Sequence, residues 1–534
     1  MIKFALIFFT VILATFVSWY TNSMSLIGID DANIYMVYMK NFANGHGFVY
    51  NIGGERVEGF TSLLWTLIGA LAFYIKDNPE ILLLVLNVFM ISYCLWTLVC
   101  YIDGYFKDNR LITPASSLLI GSLIVIPGYF HWTVFSLLET GLWSLLLITI
   151  TLNLLKGRKN GEFCILLILL TLCRPESMLW GAYFIFAKFI KHFFETKSIK
   201  NSFALIMPAL IVFIVSIVGL ISWREYYFGF PLPNTYYAKV SSNLIANIKS
   251  GIRYNLHSLS LNPLILLSFL FVVKNLYTVI RQKNIPKQYD LLFVNGVVLL
   301  TLSIPLYSGG DHFGLSRFIQ PTFPLFLLAL LMNLNFLKFQ FNYYFSMVFI
   351  IVFVFANRNP IHYNLLDKSS LIALEWSIAT SGRKKSEKLN LFFKNNYKYP
   401  SQGVIAAGGT AFSYKGFTID LLGLNNVEMA HASEEKNAGA LKNHASFNKE
   451  VFYKQSPEII PIGNCFKKGN IVVIDDFHKV VLLQIFKEKK FSDRYSPVKI
   501  ENKNLDYPLV LFASNAFLDS LNRKIYKYEV VEFE

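Results

Sequence analysis

"IGIDDANIYMVYMKNFANGHGFVYNIGGERVEGFTSLLW", residues 27–65, is a polar stretch between two strongly apolar segments of the chain. It contains the carboxylates Asp30, Asp31, Glu55 and Glu58. Ionisable side chains next to membrane-spanning segments are costly, and they usually line a cavity, pair with one another or take part in function. The stretch therefore predicts a membrane protein with a functional loop after its first apolar segment.

The overall composition is that of a polytopic α-helical membrane protein. The chain has 534 residues, 54% hydrophobic and only 16% charged, and its mean hydropathy is +0.45. Residues 1–356 hold 24 Lys and Arg and 15 Asp and Glu, whereas residues 357–534 hold 25 and 19. We therefore predict a transmembrane module over 1–356, with 28–60 as its first external loop, and a soluble domain over 357–534 that can form its own core.

The net charge of +15 does not indicate nucleic-acid binding. Most of the excess lies in short loops between apolar runs, where it follows the positive-inside rule. The basic loops at 155–162, 187–201 and 280–288 are predicted to be cytoplasmic. The polar loops and the C-terminal domain then lie on the other side, which is the periplasmic or extracellular face of a bacterial inner membrane.

The apolar segments set the expected number of membrane crossings. They lie near residues 4–20, 61–75, 81–101, 111–127, 140–155, 163–173, 178–190, 203–222, 263–280, 290–307, 321–337 and 343–356. Several are shorter than the roughly 20 residues that a perpendicular span needs, so short, tilted or half-membrane helices are expected. When each basic loop is placed on the cytoplasmic side, the segments between the loops predict about eleven crossings. The first segment is expected to be a retained helix, because no small-residue cleavage site follows it.

The C-terminal domain is predicted to be α/β. Short β-branched runs punctuated by Gly and Asp give strand candidates within 403–424, 469–477, 480–486 and 507–517. The segment "SEEKNAGALKN" at 433–443 is typical of a helix.

The loops predicted to be external hold most of the unusual polar side chains. These are Asp30, Asp31, His46, Arg56, Glu58, Glu139, Arg174, Glu176, Asn234, Lys239, Asp311, His312 and Arg317. Carboxylates and cations on one face suit an enzyme that holds a lipid phosphate and activates a hydroxyl nucleophile. A transporter or flippase for a lipid-linked or small anionic substrate is the alternative, although transporters usually place such residues at mid-membrane and often show internal repeats.

The polar loop resembles the first external loop of the GT-C superfamily of lipid-phosphosugar-dependent glycosyltransferases, and within it the arabinofuranosyltransferase-like branch. The matching motifs are Asp30-Asp31-Ala32, "GHGFVYN" (45–51), "RVEGFTS" (56–62), Leu64-Trp65, "LLETGLW" (137–143), "RPE" (174–176), "PNTYYAK" (233–239), "GGDHFGLSRF" (309–318) and "IDLLGLNNVEMAH" (419–431). Each motif is weak alone, but together they follow the order of the family. Asn33 departs from the pattern, which has an aromatic residue there, without removing a carboxylate.

The resemblance implies an inverting transfer of arabinofuranose, or of another pentose or hexose, from a polyprenyl-phosphate donor. The acceptor would be a glycan, lipid or protein of the cell envelope, and membrane lipid is a further expected partner. One external Asp would be the general base, whereas a retaining hydrolase needs two close catalytic carboxyls. Asp30 and Asp31 are adjacent and cannot point at the same spot, and Asp30 is slightly preferred. The other Asp would orient the nucleophile or cap a helix from Ala32, and capping alone is the non-catalytic alternative.

The donor phosphate requires cations that stay charged. Arg317 and Lys239 are predicted for this role, since each follows a polar motif and Arg offers a bidentate fork to phosphate oxygens. Asp311 would orient Arg317 or a sugar hydroxyl.

Most of the remaining candidates keep two interpretations. Arg174 would pair with Glu176 or Glu139, or contact the donor. Glu58 would bind substrate hydroxyls or pair with Arg56. His46 would contact substrate or be a structural turn residue, and Asn234 would contact substrate. Asp420, Asn425 and His431 would cap the site or bind the acceptor, or simply belong to a folded domain.

No cofactor is indicated. A divalent cation is left open, because members of the wider superfamily differ in using one and the acidic loop is the sole candidate ligand group. The five cysteines show neither a disulfide framework nor metal-ligand spacing.

Overall fold

The computed structural model describes residues 1–22, 25–108, 110–125, 128–157, 160–241, 243–282, 285–356, 373–432, 445–463, 465–466 and 471–534. The predicted helix at 433–443 and the start of the predicted soluble domain, 357–372, lie outside these residues. The chain forms two compact units. The helical unit comprises Met1–Gly28, Thr61–Trp223 and Leu244–Leu374, and the mixed unit comprises Ile29–Phe60, Arg224–Asn243 and Glu375–Glu534.

The helical unit is built from helices that, apart from α11, follow the apolar segments. They are α1 (Ile2–Asn22), α3 (Leu63–Ile75), α4 (Glu80–Tyr105), α5 (Pro114–Val125), α6 (Thr140–Lys156), α7 (Asn160–Cys173), α8 (Ser177–Thr196), α9 (Ile199–Phe228), α11 (Leu244–Leu261), α12 (Pro263–Gln282), α13 (Tyr289–Ser308), α14 (Phe323–Phe336) and α15 (Tyr343–Ala356). The last turn of α9 belongs to the mixed unit. A π-helical turn, His131–Phe135, precedes α6.

Four helices in the described residues are long and apolar enough to cross a membrane: Ile2–Tyr20, Glu80–Tyr105, Ile199–Phe228 and Pro286–Ser308. The pair Leu244–Leu261 and Pro263–Val279, bent by 110°, makes a fifth if it is one span. Six further apolar helices of the described residues have 10–17 residues, which is short for a perpendicular span. Long apolar helices are consistent with an integral membrane protein, but the predicted count of about eleven crossings is not confirmed, and the orientation stays a prediction.

Buried amides connect three helices of this unit. Asn333 of α14 donates from Nδ2 to Oδ1 of Asn295 in α13 over 2.8 Å, and Asn275 of α12 donates to Oδ1 of Asn333. All three side chains are fully buried. Because a polar group in an apolar interior is costly without a partner, this network fixes the register of the three helices.

The mixed unit combines short helices with two small sheets. Its helices are α2 (Asp30–Ala43), α10 (Asn234–Lys239), α16 (Ala373–Phe392), α17 (Gly408–Ser413), α18 (Val427–His431), α19 (Lys449–Gln455), α20 (Asp476–Val481), α21 (Lys489–Ser492) and α22 (Asn515–Ser520). Its strands are β1 (Gln402–Val404), β2 (Thr418–Asp420), β3 (Ile459–Ile460), β4 (Ile471–Val472), β5 (Tyr495–Asn502), β6 (Leu509–Ser514), β7 (Tyr526–Val530) and β8 (Glu532–Phe533).

The larger sheet has six strands in the order β2-β1-β3-β6-β5-β7. The pairs β1–β2 and β1–β3 are parallel, and β3–β6, β5–β6 and β5–β7 are antiparallel. Successive side chains of β6 enter different hydrophobic clusters: Val510 and Phe512 pack in one, and Leu509 and Leu511 in the other. This alternation, expected of a strand, means that both faces of the sheet are buried.

The α/β character predicted for the C-terminal segment is confirmed, although one strand candidate is wrong. Residues 480–486 form the end of α20 and a 3₁₀ turn at Ile485–Lys487 rather than a strand. Asp475 begins α20 by accepting a hydrogen bond from the backbone N–H of His478. This cap favours a helix over the strand that the β-branched composition indicates.

Candidate active site

Asp30 is buried, and its carboxylate accepts hydrogen bonds from the first backbone N–H groups of α17. It opens α2, whose N-cap residue is Ile29, so neither Asp30 nor Asp31 caps a helix from Ala32. Its Oδ2 accepts from the N–H of Gly408 at 2.9 Å and its Oδ1 from the N–H of Gly409 at 2.8 Å. Burial raises the pKa of Asp30 to about 6, and the two amide hydrogen bonds oppose the rise. Both oxygens are therefore committed to the first turn of α17.

Glycine is required where α17 meets Asp30. A Cβ atom at Gly408 would lie 1.8 Å from the carbonyl oxygen of Asp30, and one at Gly409 would lie 2.2 Å from the carbonyl oxygen of Ala379. Only a residue without a side chain permits this approach. The two glycines thus bring their N–H groups to the carboxylate.

Asp31 is the more accessible of the two aspartates. Its side chain is 24% exposed, and its Oδ2 lies 3.6 Å from Nζ of Lys239, whose side chain is 21% exposed. Lys239 is the last residue of α10. The structure thus pairs one predicted general base with one predicted phosphate ligand.

Glu58 pairs with Arg224 and not with Arg56. Nε of Arg224 donates to both carboxylate oxygens at 3.1 and 2.9 Å, and its Nη2 donates to Oε1 at 3.0 Å. The two side chains are 1% and 3% exposed. Burial raises the pKa of Glu58 to about 7, while Arg224 favours the carboxylate and opposes the rise. Arg56 instead stacks on the ring of Tyr227, 4.6 Å from its centre.

Asn234 joins this ion pair to the segment after β2. Its backbone N–H donates to the carbonyl of Glu58 at 3.0 Å. Its Nδ2 donates to the carbonyls of Gly423 at 2.7 Å and Leu424 at 3.0 Å. Asn234 therefore positions α10, which carries Lys239.

Asp420 and Asn425 connect the sheet to the loop at 28–60. Both carboxylate oxygens of Asp420 accept backbone N–H bonds, from Leu422 and Asn425. Asn425 accepts a hydrogen bond from the hydroxyl of Tyr38 at 3.0 Å, and this hydroxyl accepts one from the N–H of Gly59 at 3.2 Å. These groups serve the architecture of the mixed unit.

The ring of His431 lies between two aromatic rings, 4.3 Å from Phe230 and 4.2 Å from Tyr237. His46 lies at the turn after α2, where its side chain is exposed and its N–H donates to the carbonyl of Asn41. The predicted roles of His46 and His431 toward a substrate stay predictions.

The other predicted site residues lie in the helical unit. Arg174 binds Glu176 through Nε at 3.1 Å and Nη2 at 2.9 Å, and it also donates to Glu139. Although burial opposes it, Arg174 and Arg317 hold the pKa of Glu176 below its ordinary value. Both ion pairs proposed for Arg174 from the sequence are thus present together.

Arg317 pairs with Asp311 over 2.6 Å and lies against the ring of Phe313, 4.1 Å from its centre. Arg174, Glu176 and Arg317 line a cavity of about 20 Å³, which is the space of about one water molecule. Asp311 contacts Arg317 as expected, and its orienting role toward a substrate stays a prediction. A phosphate role for Arg317 stays a prediction.

The described residues contain no group of three or more His, Cys, Asp or Glu side chains that could hold a metal ion. In the acidic loop, the oxygens of Asp30 face amide hydrogens and Asp31 faces an ammonium group. Both aspartates therefore take part in hydrogen bonds or ion pairs within the mixed unit.

Three residues of the site were missed from the sequence: Arg224, Gly408 and Gly409. Arg224 carried a usable signal, because a charged residue at the end of a long apolar segment generally has a partner. The glycines of "AAGGTAF" carried none, because a pair of glycines is common in turns and gives no indication of a carboxylate partner.

No family model matches this chain, and no curated protein matches it. Two solved structures of the Archaeoglobus fulgidus oligosaccharyltransferase are similar to it. The apo form has a TM-score of 0.49 and 10% identity, over 96% of this chain and 77% of the other. The complex with zinc and sulfate has a TM-score of 0.46 and 11% identity, over 96% and 76%. Similarity of this size is too weak to assign a function.

Proposed function

We propose that the protein is a membrane-bound inverting glycosyltransferase that moves a sugar from a polyprenyl-phosphate donor to an envelope glycan, lipid or protein. The observation that carries the proposal is the pairing of an accessible carboxylate, Asp31, with an ammonium group, Lys239, at 3.6 Å. Such a pair offers a proton acceptor and an anion contact side by side. The motif resemblance of the loop at 28–60 supplies the reaction class.

Asp31 is the proposed general base, in place of the slight sequence preference for Asp30. A base needs an oxygen within hydrogen-bond reach of the acceptor hydroxyl. Both oxygens of Asp30 accept backbone N–H groups, and the residue is 8% exposed. Asp31 is only half-buried, with a side chain that is 24% exposed, whereas Asp30 is buried. Asp30 is therefore assigned to holding α17.

The proposed reaction is a single displacement. Asp31 takes the proton of the acceptor hydroxyl, whose oxygen forms a bond to the anomeric carbon of the donor sugar. The bond from that carbon to the phosphate oxygen breaks, and its electron pair leaves with the polyprenyl phosphate. Lys239 would contact the phosphate and balance its charge, as cations do for developing negative charge. Inversion follows, because the acceptor attacks opposite the leaving phosphate.

Glu58, Arg224 and Asn234 are assigned to positioning. They are buried, and their hydrogen bonds connect the loop at 28–60 with α10. A shift of about 1 Å in a reacting group can cost about a hundredfold in rate. Their proposed effect on turnover therefore acts through the position of Lys239.

The test is sugar transfer by the purified full-length chain in proteoliposomes with a panel of radiolabelled polyprenyl-phosphate sugars and crude envelope acceptors. Asp31→Asn should lower turnover by about 10²–10⁴-fold, as expected for loss of a general base, while donor binding is retained. Exposed Asp493 of the mixed unit gives the matched control, Asp493→Asn, which should keep wild-type turnover.

Two outcomes would overturn the proposal. One is wild-type turnover in Asp31→Asn. The other is a wild-type protein that moves the labelled lipid-linked sugar between leaflets without transferring the sugar, since that result identifies the transporter of the alternative interpretation.

A further inference from the structure

A groove of about 230 Å³ opens on the mixed unit, and neither Asp31 nor Lys239 lines it. One wall comes from α2 and the loop that follows it, at residues 37–52. The other wall comes from residues 411–418, between α17 and β2. All of the lining residues belong to one compact unit. None of them has a part in the transfer reaction proposed above.

The lining is positively charged. It includes Lys40 and Lys415, both exposed, and no Asp or Glu. Nζ of Lys40 lies 5.2 Å from the centre of the Phe412 ring, and Cζ of Arg383 lies 4.0 Å from the same centre. Cations gathered around a ring with no lining carboxylate favour an anionic ligand.

Several neutral polar side chains of the groove are committed to protein contacts. Asn51 exchanges two hydrogen bonds with the backbone of Thr418, both at 2.9 Å. The hydroxyls of Tyr50 and Tyr414 each donate to a backbone carbonyl at 2.6 Å. These bonds fix the two walls in place. The groups that a ligand can meet are then the lysine ammonium groups, the exposed side chain of Asn44 and the apolar surfaces.

The apolar surfaces are open to a ligand. Phe417 is 47% exposed and Ile52 is 63% exposed, although both are large apolar side chains at the groove. Ligand sites typically combine such apolar and aromatic walls with a few placed polar groups. A fitting ligand thus has one apolar face and at least one negative charge.

We propose that this groove binds an acidic saccharide, with its carboxylate or phosphate at Lys40 and Lys415 and the C–H face of its ring on Phe417. The proposal rests on the proposed function, since it assigns the groove to an acidic envelope glycan as acceptor. A neutral glycan would leave both ammonium groups without a counter-charge.

The test is binding of a galacturonic acid trimer and of neutral maltotriose to the purified full-length protein, measured by calorimetry without any donor. The acidic trimer should bind at least about tenfold more tightly than maltotriose. The double variant Lys40→Gln/Lys415→Gln should lower the affinity for the acidic trimer at least about tenfold, as expected for lost charge-assisted hydrogen bonds. Lys524→Gln/Lys527→Gln, which removes two exposed lysines elsewhere in this unit, should bind like the wild type.

Phe417→Leu keeps an apolar side chain but removes the aromatic ring, so it should weaken the binding of both sugars. Equal binding of the acidic trimer by the wild type and the groove double variant would overturn the proposal. Binding of phosphatidylglycerol vesicles with no binding of the trimer would overturn it as well, since it identifies a lipid site.

The two proposals fail separately. If the trimer binds the groove but no sugar is ever transferred, the saccharide-binding proposal is supported and the glycosyltransferase proposal is refuted. If sugar is transferred and the groove double variant keeps the wild-type KM for an acidic acceptor, the acceptor role of the groove falls alone.

Discussion

The buried pair of Glu58 and Arg224 gives a sharp test of how the mixed unit is held together. Three hydrogen bonds of 2.9–3.1 Å join the two side chains, which are 1% and 3% exposed. Removing one partner of such a pair leaves a buried charge without compensation and costs about 3–5 kcal/mol. For a domain of 150–250 residues, that cost lowers Tm by about 6–20 °C.

The assay is thermal unfolding of the purified protein in detergent at pH 8, above the Glu58 pKa of about 7. Buried Trp376, in the mixed unit, serves as a fluorescence probe in a background with the other tryptophans replaced by Phe. Glu58→Gln and Arg224→Gln should each lower Tm by the full amount given above. The double variant Glu58→Met/Arg224→Leu should recover most of it, because it removes both charges and leaves similar volumes.

A solvent-exposed pair supplies the control. Nζ of Lys454 lies 2.7 Å from Oε1 of Glu428, and the two side chains are 71% and 41% exposed. Glu428→Gln should therefore change stability by less than about 1 kcal/mol. The reasoning is refuted if Glu58→Gln costs no more than Glu428→Gln, or if the double apolar variant is as unstable as the sum of the single variants.

The remaining predictions concern the packing around Asp30 and Asn234. The pKa of Asp30 rises from 3.8 to about 6 on folding, so its contribution to stability is largest below pH 4 and falls by about 3 kcal/mol as the pH rises through 6. The Tm of the wild type minus that of Asp30→Asn should therefore decrease between pH 4 and pH 7, and a constant difference would contradict the assignment. Gly409→Ala should destabilise the protein by about 1–3 kcal/mol in a thermal melt, because its Cβ would lie 2.2 Å from the carbonyl oxygen of Ala379, and a wild-type melt would rule out that close approach. Asn234→Ala should cost about 1–3 kcal/mol by the same melt, since the carbonyl of Gly423 loses its donor, and an unchanged Tm would show that water replaces the amide.

Membrane character and local ion pairs could be predicted from the sequence, because they depend on composition and on short separations. Apolar runs predicted most helices, although their lengths gave only four or five candidate spans in the described residues. Arg174 and Glu176 are two residues apart, so their pairing needed no tertiary information. The α/β pattern after residue 400 was visible in β-branched runs, but one of them, 480–486, forms a helix end and a turn instead of a strand.

Long-range partners could not be predicted in the same way. Asp30 and Gly408 are 378 residues apart, and Glu58 and Arg224 are 166 apart. Periodicity and motif spacing describe only neighbours along the chain, so neither partner was identified. The same limit explains why the sequence suggested Arg56, two residues away, as an ion-pair partner of Glu58.

The sequence by itself determined that this is a membrane protein with an acidic loop and an α/β segment, because transfer free energies and backbone propensities act residue by residue. Only the tertiary structure decided which aspartate is accessible. Asp30 and Asp31 have the same chemistry and adjacent positions, but folding places the amides of Gly408 and Gly409 on one and the ammonium of Lys239 beside the other. Hydrogen bonding and burial depend on atoms brought together in space, and these contacts separate a structural carboxylate from the one proposed for catalysis.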